Sequence, residues 1–169
     1  FGRPKGKFIK KFSLEFLIPI LKRIFKIKNI SFLNSYLNKE ISEHIKNMKY
    51  GEICLLENVR FYKYEESNDS KFSRNIAKNF DFYVNDAFSC SHRSHSSIDS
   101  ITNFLPSLAG NSLLKEIKNL ELLFDKKISP MTAIIGGSKI STKLLIIHNL
   151  IETFDKLIIV GAMANTFLY

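Results

Sequence analysis

Four short segments of this 169-residue chain combine cations with glycine, asparagine or hydroxyl residues in a way suited to holding an anion. Phe1-Gly2-Arg3-Pro4-Lys5-Gly6 comes first, and Leu55-Leu56-Glu57-Asn58-Val59-Arg60-Phe61 second. The third is Asn85-Asp86-Ala87-Phe88-Ser89-Cys90-Ser91-His92-Arg93-Ser94-His95-Ser96-Ser97, and the fourth Gly136-Gly137-Ser138-Lys139-Ile140-Ser141-Thr142-Lys143. Arginine offers a planar fork of donors that grips a carboxylate or phosphate through paired hydrogen bonds, so Arg3, Arg60 and Arg93 are candidate anion ligands. His92 and His95 read as residues that order their loop or sit beside the anion. Cys90, His92 and His95 lack a fourth ligand and fit no zinc spacing, so no metal site is assigned.

The Gly136-Gly137 pair is expected to end a strand and open a helix, turning backbone N–H groups and the positive end of the helix dipole toward a phosphate. Lys139 and Lys143 then stand at i and i+4 as two cations on one helix face. A Walker A loop is excluded, because its earlier glycine and its Gly-Lys pair are missing. Each segment taken alone also has a plain structural reading, as strand-end caps around Arg60 and Asp86 and as solvated lysines at 139 and 143.

These residues need elements to position them. Leu14, Leu17, Ile18, Leu21, Ile24 and Phe25 recur at helical spacing over residues 14–25, with Ser13 as an N-cap and Pro19 marking a kink or a later start. Ile30 to Leu33 reads as a strand, and Ile41, Ile45 and Met48 as one helix face. Glu52–Leu56 and Phe80–Val84 are buried-strand runs expected to be parallel neighbours, separated by a helix with Phe72, Ile76 and Phe80 inward. A further helix runs from Leu113 to Phe124, and Ala133-Ile134-Ile135, the glycine pair, a helix and Leu157–Val160 form a βαβ unit. The alternation predicts an α/β fold with a parallel sheet flanked by helices over residues 1–131, then a second α/β region over 132–169. Two parallel strands cannot cover their own faces and edge, so a continuation past Tyr169 is expected.

Composition is that of a globular chain: 45% hydrophobic, 12% aromatic, seven glycines. The formal charge of +9 includes a dense run at Arg3, Lys5, Lys7, Lys10 and Lys11. Such a run invites a nucleic-acid partner, but no known binding module accompanies it, and a lysine-rich surface beside a small-anion site explains it as well. Cys54 and Cys90 form no Cys-x-x-Cys pair, which points to a reducing cytoplasm and not to a disulfide framework. No apolar run of roughly 18 residues and no signal-peptide pattern is present, so no membrane partner is expected.

The four segments, in this order, resemble phosphoglycerate kinase. In that family a Gly-Arg-Pro loop, a Leu-Glu-Asn-x-Arg-Phe strand end and an Asn-Asp-Ala-Phe loop running into His-Arg-x-His bind 3-phosphoglycerate on an N-terminal domain of Rossmann-like architecture. The resemblance implies that Phe1, Gly2, Arg3, Arg60, His92, Arg93 and His95 contact this substrate, with the three arginines converging on it. It implies a nucleotide-binding C-terminal domain begun by the Gly-Gly-x-Lys-x-x-x-Lys segment, where Gly137, Ser138, Lys143 and Gly161 contact ATP or ADP. Lys139 and Arg3 are the implied catalytic residues, and Mg2+ arrives with the nucleotide. The family reaction moves a phosphoryl group between 1,3-bisphosphoglycerate with ADP and 3-phosphoglycerate with ATP, in a closing two-domain monomer.

The resemblance also implies a chain short at both ends. An opening strand, an Asp-x-Asn loop, an arginine and a histidine would precede Phe1, and the nucleotide-ribose contact and a distal glycine-rich loop would follow Tyr169. By itself such a fragment is expected to be inactive. The competing expectation keeps the fold without catalysis, as a basic binding protein for nucleic acid or another polyanion.

Overall fold

The computed structural model describes the chain except residues 37–38, 125–128, 138–139, 142 and 169, and except the side chains at 39, 40 and 124. It separates into two compact units, Phe1–Glu116 and Ile117–Tyr169. The division falls within α5, introduced below, whereas the sequence placed a boundary after residue 131.

In the first unit, α1 (Leu17–Phe25) begins later than its apolar periodicity. Pro19 is thereby the third helical residue, inside the first turn, where its missing N–H breaks no helical bond. Ser13 does not cap α1; its hydroxyl donates to Glu57 Oε2 at 2.6 Å. Leu17, Ile18 and Leu21 are half-buried, but Ile24 and Phe25 of the expected core face are exposed.

β1 (Ile30–Leu33), α2 (Lys39–Asn47) and β2 (Ile53–Leu56) form a parallel pair with its crossover helix, Ile30 lying opposite Ile53 and Leu33 opposite Leu56. Ile41 of α2 is buried, as its i, i+4, i+7 pattern requires. A single turn, α3 (Lys63–Glu66), precedes α4 (Ser70–Ala77), which Asp69 caps by accepting from the Phe72 N–H at 2.7 Å. Phe72, Ile76 and Ala77 of α4 pack with Ile101 as the core, with Tyr36, Tyr62, Tyr83 and Phe104 around them. Burying a side chain such as Phe72 contributes about 1.5–3 kcal/mol. Among the described residues Glu57, Asn58, Glu65, Ser73, Ser96 and Ser100 are buried polar residues as well.

β3 (Tyr83–Asn85) pairs in parallel with β4 (Ser107–Ala109), in a sheet separate from β1–β2. The expected pairing of Glu52–Leu56 with Phe80–Val84 is therefore corrected. Alternation identifies strands, but adjacency depends on where the connections carry the chain. Here each ladder joins strands through a helical crossover or loop of its own, and the long link from β2 to β3 carries α4, which packs the core with Ile101. β4 had no readable signal: its three residues are all exposed and lie between Pro106 and Gly110.

α5 (Asn111–Glu121) follows β4. In the second unit β5 (Thr132–Gly136), α6 (Leu144–Thr153) and β6 (Lys156–Val160) make the expected βαβ, with Ala133 opposite Leu157 and Gly136 opposite Val160. α7 (Ala162–Phe167) comes next, and its Met163 is buried with Ala133 and Ile147. The chain is thus α/β, built of short parallel sheets flanked by helices. Among the described residues no helix is long and apolar enough to cross a membrane.

Candidate functional site

At the carboxyl end of β2 the ladder runs on into two buried polar residues. The Glu57 N–H donates to Leu33 O at 2.9 Å, while its carboxylate accepts from the Leu14 N–H at 2.9 Å and the Asn58 N–H at 2.6 Å. Asn58 Nδ2 donates to the carbonyls of Phe1 at 2.6 Å and Phe12 at 3.0 Å, and its Oδ1 accepts from the Arg60 N–H at 3.1 Å. One amide side chain thus sews the opening loop to the strand end. Arg60 adds a second stitch by donating from Nη1 to Gly2 O at 2.6 Å, and its carbonyl accepts from the Gly6 N–H at 3.2 Å. Gly6 sits at φ +71°, and a Cβ there would come within 2.8 Å of Lys63 Cα, so both conformation and space demand glycine.

Phe1, Gly2 and Arg60 are therefore brought into one group. Arg60 Nη2 pairs with Glu66, while its Nε is buried without a partner. Arg3 projects from the same opening loop and is exposed.

The third segment leaves β3 at Asn85, whose side chain holds the turn by donating to Ser91 Oγ at 3.1 Å and accepting from the Ala87 N–H at 3.0 Å. Asp86 is a structural residue. Its carboxylate accepts from the N–H groups of Ser112 at 2.7 Å and Leu113 at 3.0 Å, supplying at a distance the N-terminal cap of α5 that Gly110 lacks a side chain to provide. These bonds, led by that of Leu113, hold the Asp86 carboxyl below its ordinary value.

The rest of the loop is pinned by α3 and the turn after it. Buried Glu65 accepts from the Ser97 N–H at 3.0 Å and the Ser97 hydroxyl at 2.6 Å, and faces His95 Nδ1 at 3.6 Å. Asn68 donates to Ser94 Oγ at 3.0 Å and Asp99 Oδ2 at 2.7 Å. The Ser94 hydroxyl and Asn68 together keep the Asp99 carboxyl below its usual range. Behind them Tyr36 has its phenol pushed up, first by burial and then by the Glu65 charge. His95 consequently faces inward and orders the loop.

His92 and Arg93 instead line an open cleft of about 300 Å³ with Asn85, Ser91, Ser94, Ile98 and Asp99. Arg3 and Arg60 are not among its lining residues. Arg93 is half-buried, and its Nε, like that of Arg60, is buried with no hydrogen-bond partner. Buried donors of this kind are costly unless something accepts from them.

In the second unit Lys143 lies at the N-cap of α6 with φ −123°, outside the helix. The expected strip of two lysines on one helical face is corrected on this point, because the helix opens only at Leu144. Lys143 Nζ donates to Gly136 O at 2.6 Å, so its charge rests at the carboxyl end of β5 beside Gly137. Gly161 occupies the corresponding turn between β6 and α7. Ser138 and Lys139 lie outside the described residues. Among the described residues no group of three or more His, Cys, Asp or Glu could hold a metal ion.

Glu65, Asn68 and Ser97 were missed as builders of the site. The available signal was the acidic pair Glu65-Glu66 in a strongly basic chain, together with the serine excess after His92.

The family model for phosphoglycerate kinase matches residues 1–169. A phosphoglycerate kinase of Wolbachia pipientis subsp. Culex pipiens is 48% identical over 168 residues, covering 99% of this chain and 42% of that protein. One from Bartonella tribocorum is 43% identical over 167 residues with the same coverage. The solved phosphoglycerate kinase of Coxiella burnetii superposes with a TM-score of 0.79 at 33% identity, over 99% of this chain and 41% of that one. That of Pyrococcus horikoshii OT3 gives 0.81 at 28% identity, over 92% and 40%. The chain therefore spans about 42% of the length of the curated relatives it matches.

Proposed function

The chain belongs to the phosphoglycerate kinase family, and from that premise we propose that its first unit binds 3-phosphoglycerate and its second contributes to a nucleotide site. The transfer is that of a phosphoryl group between 1,3-bisphosphoglycerate with ADP and 3-phosphoglycerate with ATP. The observation that carries the proposal is the pair of buried, unpartnered Nε donors on Arg60 and Arg93. Arg60 is fixed by Gly2 O and Glu66, both arginines keep a donor that an anion would satisfy, and a guanidinium is the group that carboxylate and phosphate recognition needs.

In this reading Arg3, exposed on the glycine-rich loop, completes the cation set around the acid, with Phe1 and Gly2 shaping the loop and His92 beside Arg93. Phosphoryl transfer asks for positioning and charge neutralisation more than covalent chemistry. Lys139 serves to neutralise the moving group, and Lys143, Gly137, Ser138 and Gly161 hold nucleotide phosphates. Mg2+ enters as part of the nucleotide substrate. The setting proposed is a cytoplasmic monomer.

Calorimetric titration with 3-phosphoglycerate tests this. Saturable binding that weakens about tenfold in Arg93→Lys supports it, since lysine keeps the charge and loses the fork. Salt-dependent binding to random oligonucleotides that persists in excess 3-phosphoglycerate would instead favour a polyanion-binding role.

A further inference from the structure

The β1–β2 ladder has a second polar end. Its carboxyl end leads to Asn58 and Arg60, while at its amino end Lys22, Lys28, Asn29, Ser31, His44 and Glu52 surround a cleft of about 290 Å³ floored by Ile30 and Ile53. Three elements contribute to it: Lys22 from α1, His44 from α2, and the residues that begin the two strands.

The hydrogen-bond pattern indicates what the imidazole offers. Ser31 Oγ lies 2.8 Å from His44 Nε2 and 3.4 Å from Ile53 O. A hydroxyl bond at 3.4 Å is the poorer of the two, which favours donation by Ser31 to the imidazole. In that arrangement Nε2 accepts and the hydrogen on Nδ1 is left for a ligand. The cleft thus presents one N–H donor and two ammonium groups. Among the described lining residues one carboxylate stands against them, Glu52, whose Oε2 is already engaged by the Lys49 N–H at 2.9 Å, leaving Oε1 to accept.

From this arrangement we propose that the cleft is a binding site for a small phosphomonoester carrying a free hydroxyl. The phosphate lies between the Lys22 and Lys28 ammonium groups and receives the His44 Nδ1–H. The ester's hydroxyl donates to Glu52 Oε1. Lysine binds phosphate as a mobile point charge and tolerates the open mouth of such a cleft. The carboxylate gives selectivity, because a bare dianion gains nothing from Glu52 and is repelled by it. No reaction is assigned to the site, and it is independent of the 3-phosphoglycerate proposal.

The test follows the His44 ring resonances of the full 169-residue chain during titration with inorganic phosphate and with glycerol 1-phosphate. Saturable shifts at millimolar ligand are expected, with the ester binding more tightly. Lys22→Ala combined with Lys28→Ala should weaken both at least about tenfold. Glu52→Ala should erase the advantage of the ester, and Lys118→Ala, at an exposed position of α5, should change neither. The proposal is overturned if the His44 ring does not respond, or if chloride at equal ionic strength reproduces the shifts. It is equally overturned if the ester binds no better than inorganic phosphate, or if the double lysine variant binds as the parent does.

Discussion

Replacing Asn58 by alanine tests how the opening loop is held against the strand end. The side chain is 1% exposed and makes three good hydrogen bonds, at 2.6, 3.0 and 3.1 Å, to Phe1 O, Phe12 O and the Arg60 N–H. At about 1 kcal/mol net for each, Asn58→Ala should cost about 3 kcal/mol. A urea dependence of about 1.5 kcal/mol per molar converts this to a midpoint lower by about 2 M. Asn58→Asp should be at least as damaging although it is nearly the same size. It keeps the acceptor for Arg60 but loses both donations, and it sets a buried negative charge against two carbonyls and the Glu57 carboxylate. Urea titration of the three proteins, read by tyrosine fluorescence, measures the shifts. A midpoint change below about 0.3 M in Asn58→Ala, or an aspartate variant more stable than the alanine one, would refute the claim that this amide anchors the loop.

Acid should loosen the first unit through Asp86. Its folded value is lowered from 3.8 by Leu113 and Ser112, so the stabilisation is present above that value and disappears as pH falls through the lowered one; thermal melts between about pH 5 and pH 2 should show a shallower loss in Asp86→Asn. Gly110→Ala should mimic Asp86→Asn, because a Cβ at Gly110 would sit 2.4 Å from Asp86 Oδ1 and push the cap off α5; an unchanged melting temperature would contradict the capping role. Lys143→Ala should weaken ATP binding while leaving 3-phosphoglycerate binding unchanged, as separate titrations would show. The 169 residues assayed by themselves should bind 3-phosphoglycerate without turnover in a coupled assay, since more than half of the relatives' length lies outside the match.

What the sequence could reveal differed from residue to residue. Apolar runs at Ile30–Leu33 and Leu157–Val160 were readable because strands of parallel sheets are near-continuous in hydrophobicity, although Ile158 and Val160 are exposed here. The start of α1 was ambiguous, since periodicity extends through Leu14 while the hydroxyl of Ser13 is taken by Glu57, a contact 44 residues away. β4 was invisible because exposed strands of three residues carry no alternation. The motifs named Arg60, His92, Arg93 and His95, but not their different circumstances. His95 turns toward Glu65 and His92 opens onto a cleft because of side-chain bonds from Glu65 and Asn68, which are remote in sequence. Asp86 read as a polar strand-end residue, and its partner, the bare N-terminus of α5, became apparent only in three dimensions.

The proposed function rests on Arg60 and Arg93 holding donors in reserve for an anionic substrate. Proton–nitrogen spectra that resolve the two guanidinium Nε–H groups, recorded as 3-phosphoglycerate is added, address it directly. Both resonances should move together and saturate at one dissociation constant. Nε–H signals that remain in place while 3-phosphoglycerate binds elsewhere on the chain, or a chain that binds none, would contradict the account.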